Sequence, residues 1–354
     1  MRCAACAVLL GSLALHGAGS EESAAEASRR ALAGMPPYQP VEQVSGTIRI
    51  WGHGSAKRDF MGGLLKRWTD GFTRYHPGIR IENRMYGTAS AIGALYTGAG
   101  DIALLGEEIA PAAAAAFERE KGYAPTGVPI ATGSLDVNFF DYAHMVFVHR
   151  DNPVTRMSLA QLDAIFGTER RRGAPALLRT WGQLGLTGGW ADRPIQPYSW
   201  KVDEDFALFI REVLLENSHR WNPAVKEYVH VTRPDGTQYD HGKQILDALA
   251  RDPGGIAISN IRYANPQVRA LALAREEGGP WFEPTPANLI SQDYPLVRII
   301  PAFVDRAPGK SLDPRVREFL RYLLSREGQE ALVQESDYLP LSPHIVRQQL
   351  EKLP

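Results

Sequence analysis

From Thr47 onward, short apolar segments alternate with amphipathic ones, and this alternation constrains the fold more than any other feature of the chain. Thr47–Trp51 reads as a short β-branched strand, and Gly52-His53-Gly54-Ser55 turns it into a helix running to about Tyr75. In that helix Phe60, Leu64, Trp68 and Phe72 recur at every fourth position and share one face. Pro77-Gly78 stops the helix. Ile79–Met85 follows as a strand, Gly87-Thr88 as a turn and Ala89–Tyr96 as a second helix. Asp101–Leu105 has the unbroken apolar character of a strand buried on both faces of a parallel sheet. This β-α-β-α-β order predicts an α/β unit with a doubly wound, mostly parallel sheet, a class that binds ligands beyond the carboxyl ends of its strands.

The rest of the chain repeats the pattern. Ala143–Val148 reads as a central strand that carries the chain into a second unit, and Ser158–Phe166 as a helix capped by Ser158. Pro194–Ser199 is the next strand, and Asp203–Leu215 a helix with Phe206, Phe209, Ile210 and Val213 turned inward. After Gly254-Gly255, the strand Ile256–Ser259 is expected to cross back to the first unit. Asp313-Pro314 starts a helix with proline at its first position, and Val316, Phe319, Leu320 and Leu323 form its apolar face. Crossovers near 140 and 257 predict one discontinuous lobe, residues 46–142 and 257–345, and one inserted lobe, residues 143–256. A chain of 354 residues has core enough for both.

Ahead of this stands a different kind of segment. Arg2, the apolar run Ala4–Leu15 and the small residues up to Ser20 have the layout of a secretory signal peptide, residues 1–20, which predicts export. The run is too short to cross a bilayer, which takes roughly 20 apolar residues. Cys3 and Cys6 both lie inside it, so its removal leaves no cysteine for disulfide or thiol chemistry. Residues 21–45, with the proline-rich stretch Met35–Pro40, read as a flexible segment without a core of its own. The net charge of −1 and pI near 6.8 exclude the basic face that nucleic-acid binding requires. Arg170-Arg171-Arg172 reads as a solvated loop.

Two strand-to-helix turns carry the chemistry: Gly54-Ser55-Ala56 and Gly87-Thr88-Ala89-Ser90. In each, glycine allows a tight turn and a hydroxyl residue stands at a helix start. The N–H groups of a helix's first turn lack intrahelical partners and carry partial positive charge, so two such turns at one sheet edge suit a small anion. Taken singly, Ser55 and Thr88 read as ordinary helix caps, each contributing ~1 kcal/mol. Trp51, Tyr198 and Trp200 read either as a stacking surface for an organic ligand or as packing.

Enzymatic readings find little support. His53 and Ser55 stand two apart, without a Gly-x-Ser-x-Gly elbow or a third member of a triad. Neither His-x-His nor His-Glu-x-x-His occurs, so no metal site and no cofactor are expected, and no residue is assigned a catalytic role. His144 and His149 lie five apart on an apparent strand and point to opposite faces.

At this point a resemblance emerges. Gly98–Asp101 leading into Ile102-Ala103, Val146–Pro153, Leu159–Phe166, Tyr294-Pro295-Leu296 with Arg298, and Phe319–Gln329 occur in one order. With them the chain resembles the phosphate-binding protein of bacterial ABC phosphate importers, a type II periplasmic binding protein, from about Gly46 to Pro343. The resemblance implies a two-lobed fold with the site between lobes. It also implies a phosphate-like anion as ligand, a membrane permease as partner, a monomeric state and a periplasmic location. It carries ligand contacts onto Gly54, Ser55 and Ala56 of the first turn and onto Thr88, Ala89 and Ser90 of the second.

The second lobe departs from the family pattern of an arginine followed by Gly-Ser-Gly-Thr. Alignment on Phe206 puts Tyr198 at the arginine and Lys201-Val202-Asp203-Glu204 at the glycine-rich turn, with Lys201 or His53 as the replacement cation. Gly106 falls where some relatives carry an aspartate. A carboxylate about 4 Å from an anion costs on the order of 4 kcal/mol at an effective dielectric of 20. Losing an arginine hydrogen bond costs roughly 1.5–3 kcal/mol more. An exported protein of the same fold, used for signalling or surface interaction with a non-phosphate organic ligand, is therefore the second reading. A periplasmic hydrolase is the third.

Overall fold

The computed structural model describes residues 22–52, 60–105, 108–133, 143–203, 205–336 and 338–353. It opens with helix α1 (Ala24–Ala33) and continues through β1 (Gly46–Gly52), α2 (Phe60–Tyr75), β2 (Ile79–Arg84) and α3 (Thr88–Tyr96). Then come β3 (Ile102–Leu104), α4 (Pro111–Lys121) and β4 (Thr126–Thr132). The middle of the chain forms β5 (Met145–His149), β6 (Arg156–Ser158), α5 (Leu159–Phe166), β7 (Gln196–Trp200), α6 (Asp205–Val213) and β8 (Lys226–Tyr228). Next are β9 (Val231–Thr232), β10 (Gln238–Tyr239), α7 (His241–Leu249), β11 (Gly255–Ser259), β12 (Val268–Ala270), β13 (Ala272–Ala274) and α8 (Pro286–Ile290). The end consists of β14 (Ile299–Val304), α9 (Pro314–Leu323), α10 (Arg326–Glu335) and α11 (Pro343–Glu351).

Two five-stranded sheets organise these elements, in the orders β2-β1-β3-β14-β4 and β12-β5-β11-β7-β8. Helices pack on them as the alternating pattern requires. Leu64, Trp68 and Phe72 of α2 are fully buried, and burying a side chain the size of Leu or Phe contributes roughly 1.5–3 kcal/mol. Ser158 caps α5 through the reciprocal bonds of a capping box with Gln161. The α/β class read from the sequence holds, with one refinement. Each sheet has two parallel and two antiparallel pairings, the antiparallel ones made by β14 in the first sheet and β5 in the second.

The reason lies in the crossings. The backbone N–H of His144 donates to Leu296 (3.2 Å) and that of Gly133 to Arg298 (2.9 Å), so the last residue described before the outward crossing and the first strand approach after it both pair with the returning segment. The outward and returning segments enter their sheets from the edge where the parallel strands end, and so β5 and β14 run against them. The hinge and the carboxyl edges of both sheets thus meet along one line.

Two expectations change. Ile256–Ser259 does not return to the first sheet: β11 lies between β5 and β7, and the chain crosses back only at β14. An apolar run of that length fits the centre of either sheet equally well, and the pairing partner decides. Residues 24–38, expected to lack a core, form α1 and its anchor. Ala27, Ala31 and Met35 recur every fourth residue and are buried, and α1 packs on α8 and α10. Buried Tyr38 donates its hydroxyl to Glu318 Oε2 at 2.7 Å and sits 2.7 Å from His76 Nε2. Among the described residues no helix is long and apolar enough to cross a membrane.

Candidate functional site

At the carboxyl edge of the first sheet, β1 ends in Gly52 and β2 in a turn closed by Gly87. The N–H of Gly87 donates to the Gly52 carbonyl oxygen at 2.9 Å, which fastens that turn to the end of β1. Both glycines answer to geometry. A Cβ on Gly52 would stand 2.1 Å from the Leu104 carbonyl oxygen, and Gly87 has φ 141°, a region closed to other residues. Gly87 is itself the cap of α3, without a side-chain hydrogen bond, and Thr88 is the first helical residue. Thr88 is half-buried and Ala89 exposed. Ser90 directs its hydroxyl back to the Gly87 carbonyl at 2.9 Å, so its proton braces the turn. His53, Gly54, Ser55, Ala56 and Gly106 lie outside the described residues, as do residues 1–20 with Cys3 and Cys6.

Opposite, β7 ends at Trp200 and α6 begins at Asp205. Trp200 is fully buried and stacks on Phe206, with centroids 5.3 Å apart and planes 25° apart. The His144 ring lies 4.7 Å from Trp200 and 5.0 Å from Phe209. Burial, then Arg298 and His241, push His144 well below the ordinary histidine range, and it is neutral at pH 7. Lys201 Nζ is 3.0 Å from the exposed Asp203 carboxylate, so this cation meets a charge of opposite sign on its own turn. Glu204 lies outside the described residues.

Tyr198 does not belong to this wall. Its hydroxyl donates to Asp252 Oδ2 at 2.8 Å, and Asp252 precedes Gly255, which pairs with the first residue of β7, Gln196. The side chain therefore runs to the amino-terminal edge of the sheet, away from the hinge. Alternate residues of a strand face opposite sides, and the sequence alone does not say which way a long side chain leans along the strand.

Arg298, quoted above for the resemblance alone, was given no place at the site by the sequence reading. Its side chain is 2% exposed, and the guanidinium donates from Nε to Glu108 Oε1 at 3.0 Å and from Nη2 to Oε2. The same guanidinium lies 5.7 Å from the Phe209 ring centroid. It therefore joins the segment after β3, the returning crossing and α6. One signal was present in the sequence: a lone charge between Leu296-Val297 and Ile299-Ile300.

Comparison with known proteins places this geometry. Residues 39–327 match the model of the PBP superfamily domain. The chain is 30% identical to the phosphate-binding protein PstS of Pseudomonas aeruginosa strain PAO1 over 320 residues, 90% of each chain. It belongs to the PBP superfamily, in the family of PstS. The PstS structure from Borrelia burgdorferi superposes with a TM-score of 0.54 at 14% identity, covering 85% of this chain and 100% of that one. An ABC-type phosphate transport receptor from Vibrio cholerae gives 0.50 at 16% identity, with 82% and 99% covered. These two likenesses bear on the fold alone.

In this PstS-family chain a cavity of about 510 Å³ also opens between α6 and the returning crossing, with Glu108, Phe209, Glu212, Arg275, Val297 and Phe303 among its lining. Burial, and then Glu108, raise the Glu212 carboxyl above its usual range. Its two carboxylates meet two arginines, Arg275 on the lining and Arg298 on Glu108, so the cavity carries no excess positive charge for a dianion.

Proposed function

We propose that this chain is an extracytoplasmic solute-binding protein of an ABC importer, taking phosphate or a related small oxyanion between the carboxyl edges of its two sheets without chemical change. The observation that supports this is the Gly87–Gly52 hydrogen bond, which holds the start of α3 against the end of β1, where the first-turn backbone N–H groups of a helix suit an anion. Gly54, Ser55 and Ala56 on one turn, and Thr88 and Ala89 on the other, are the proposed donors. Ser90 braces the second turn, and Lys201 approaches from the far side. The segments 46–132 and 299–304 form the core of one lobe, and 145–270 the core of the other. The name of the Pseudomonas aeruginosa relative, the phosphate-binding protein PstS, supports the ligand class. Export through residues 1–20, a periplasmic location, a permease partner and a monomeric state complete the proposal.

Isothermal titration of phosphate and sulfate into wild type, Ser55→Ala and Thr88→Ala tests it. Phosphate binding weakened about tenfold by each substitution, ~1.4 kcal/mol, supports the site. A protein that no oxyanion binds or stabilises sinks it. A second reading rests on exposed Tyr86, 5.7 Å edge-on from Trp51 beside the Gly87 turn, which offers an organic ligand an aromatic surface. It predicts that an aromatic or aliphatic anion raises Tm more than phosphate does.

A further inference from the structure

One cluster outside the anion site has metal-ligand chemistry that the sequence spacing concealed. The hairpin β9–β10 pairs Val231 with Tyr239, which brings the residues just beyond, His230 and Asp240, opposite each other. His241 follows as the first residue of α7. The chain separates His230 from His241 by eleven positions, so neither a His-x-His nor a His-x-x-x-His pattern marks the pair.

We propose that His230, Asp240 and His241 bind a divalent transition-metal cation of the zinc class. One ligand atom from each lies within 4.8 Å of the others, and His230 Nδ1 is 3.6 Å from Asp240 Oδ2. Tetrahedral zinc with bonds of about 2.0–2.1 Å separates its ligand atoms by about 3.3 Å, so the cluster needs a small contraction and a turn of the His230 ring out of its stack on His241. Two imidazoles and a carboxylate suit zinc, copper or nickel, and do not suit magnesium or calcium, which prefer all-oxygen shells.

The surroundings of the three groups fit that use. Asp240 caps α7 through Oδ1, which accepts from the Gly242 N–H at 2.8 Å. That bond orients the carboxylate and leaves Oδ2 toward His230, as outer hydrogen bonds do for metal-bound carboxylates. The His241 ring is buried and walled by Phe206, 5.0 Å away edge-on, and by Trp200 at 6.1 Å. His230 stacks on His241 with centroids 3.9 Å apart, and its side chain is 35% exposed, so it is free to rotate its lone pair toward a shared ion. Three protein ligands and an exposed side give a site whose fourth position is open to water. The proposal does not depend on the oxyanion reading.

The test uses tag-free protein titrated with Co2+ and Zn2+, read by cobalt visible absorption and by calorimetry. The expected result is one equivalent bound, with the intense visible bands of tetrahedral cobalt displaced by zinc. His230→Ala and Asp240→Asn each raise the Kd at least tenfold, whereas His344→Ala, at an exposed histidine on α11, leaves it unchanged. Asp240→Asn keeps an oxygen for the α7 cap, and His230 is exposed, so both variants are expected to fold, as circular dichroism will check. The proposal is overturned if wild type binds neither ion, or if both variants bind as tightly as wild type.

Discussion

The N–H of Gly87 donates to the carbonyl oxygen of Gly52, joining the loop after β2 to the end of β1 at the edge that faces the hinge. Each glycine is required for a different reason, and so the two alanine variants separate. Gly87 has open space around it but a φ of 141°, so Gly87→Ala pays mainly backbone strain, about 1–3 kcal/mol. Gly52→Ala forces a methyl to 2.1 Å from the Leu104 oxygen and must part β1 from β3. Urea unfolding is expected to show a larger loss for Gly52→Ala than for Gly87→Ala.

The Arg298–Glu108 pair yields a second prediction. Arg298→Met leaves a part-buried carboxylate without its bidentate donor, at a cost of about 3–5 kcal/mol. Glu108→Gln keeps the volume and removes the charge. In a double-mutant cycle read by denaturant midpoints, the paired change is expected to cost less than the two single changes added together. Additive losses would show that the pair does not couple the hinge segment to the post-β3 segment.

Tyr38 ties the N-terminal segment to the first lobe. Tyr38→Phe keeps the ring and removes the hydroxyl that reaches Glu318 and His76, leaving a buried acceptor short of a donor. The expected loss is about 1–3 kcal/mol in a thermal or chemical melt, without change in anion affinity. Truncation before Val41 removes α1 as well and is expected to cost more.

The buried hinge histidine predicts an acid response. His144 titrates well below 6.5 in the folded chain and near 6.5 when unfolded. Between those values the unfolded state binds more protons. Its contribution is therefore intact above pH 6.5 and falls as pH drops below it, with a limiting slope of about 1.4 kcal/mol per pH unit. His144→Phe removes that slope. Unfolding free energies of the two proteins between pH 7 and 5 are expected to converge as the pH falls.

The sequence by itself determined the elements and their kind. The four-residue spacing of Leu64, Trp68 and Phe72, the Ser158 cap, the Asp313-Pro314 helix start and the unbroken apolar strand at Ile102 are local signals, and each appears where it was read. Local signals also placed the Gly87 turn at a helix start, because only glycine tolerates that φ. Partnership between distant segments was beyond them. Only the tertiary structure decided that Ile256–Ser259 pairs with β5 and β7, that Tyr198 reaches Asp252 rather than the hinge, that Arg298 meets Glu108, and that His230 stands beside Asp240 and His241. Helix periodicity and capping are satisfied within a few residues of chain. Strand neighbours, buried charges and ligand clusters are chosen by contacts whose partners lie tens to hundreds of residues away.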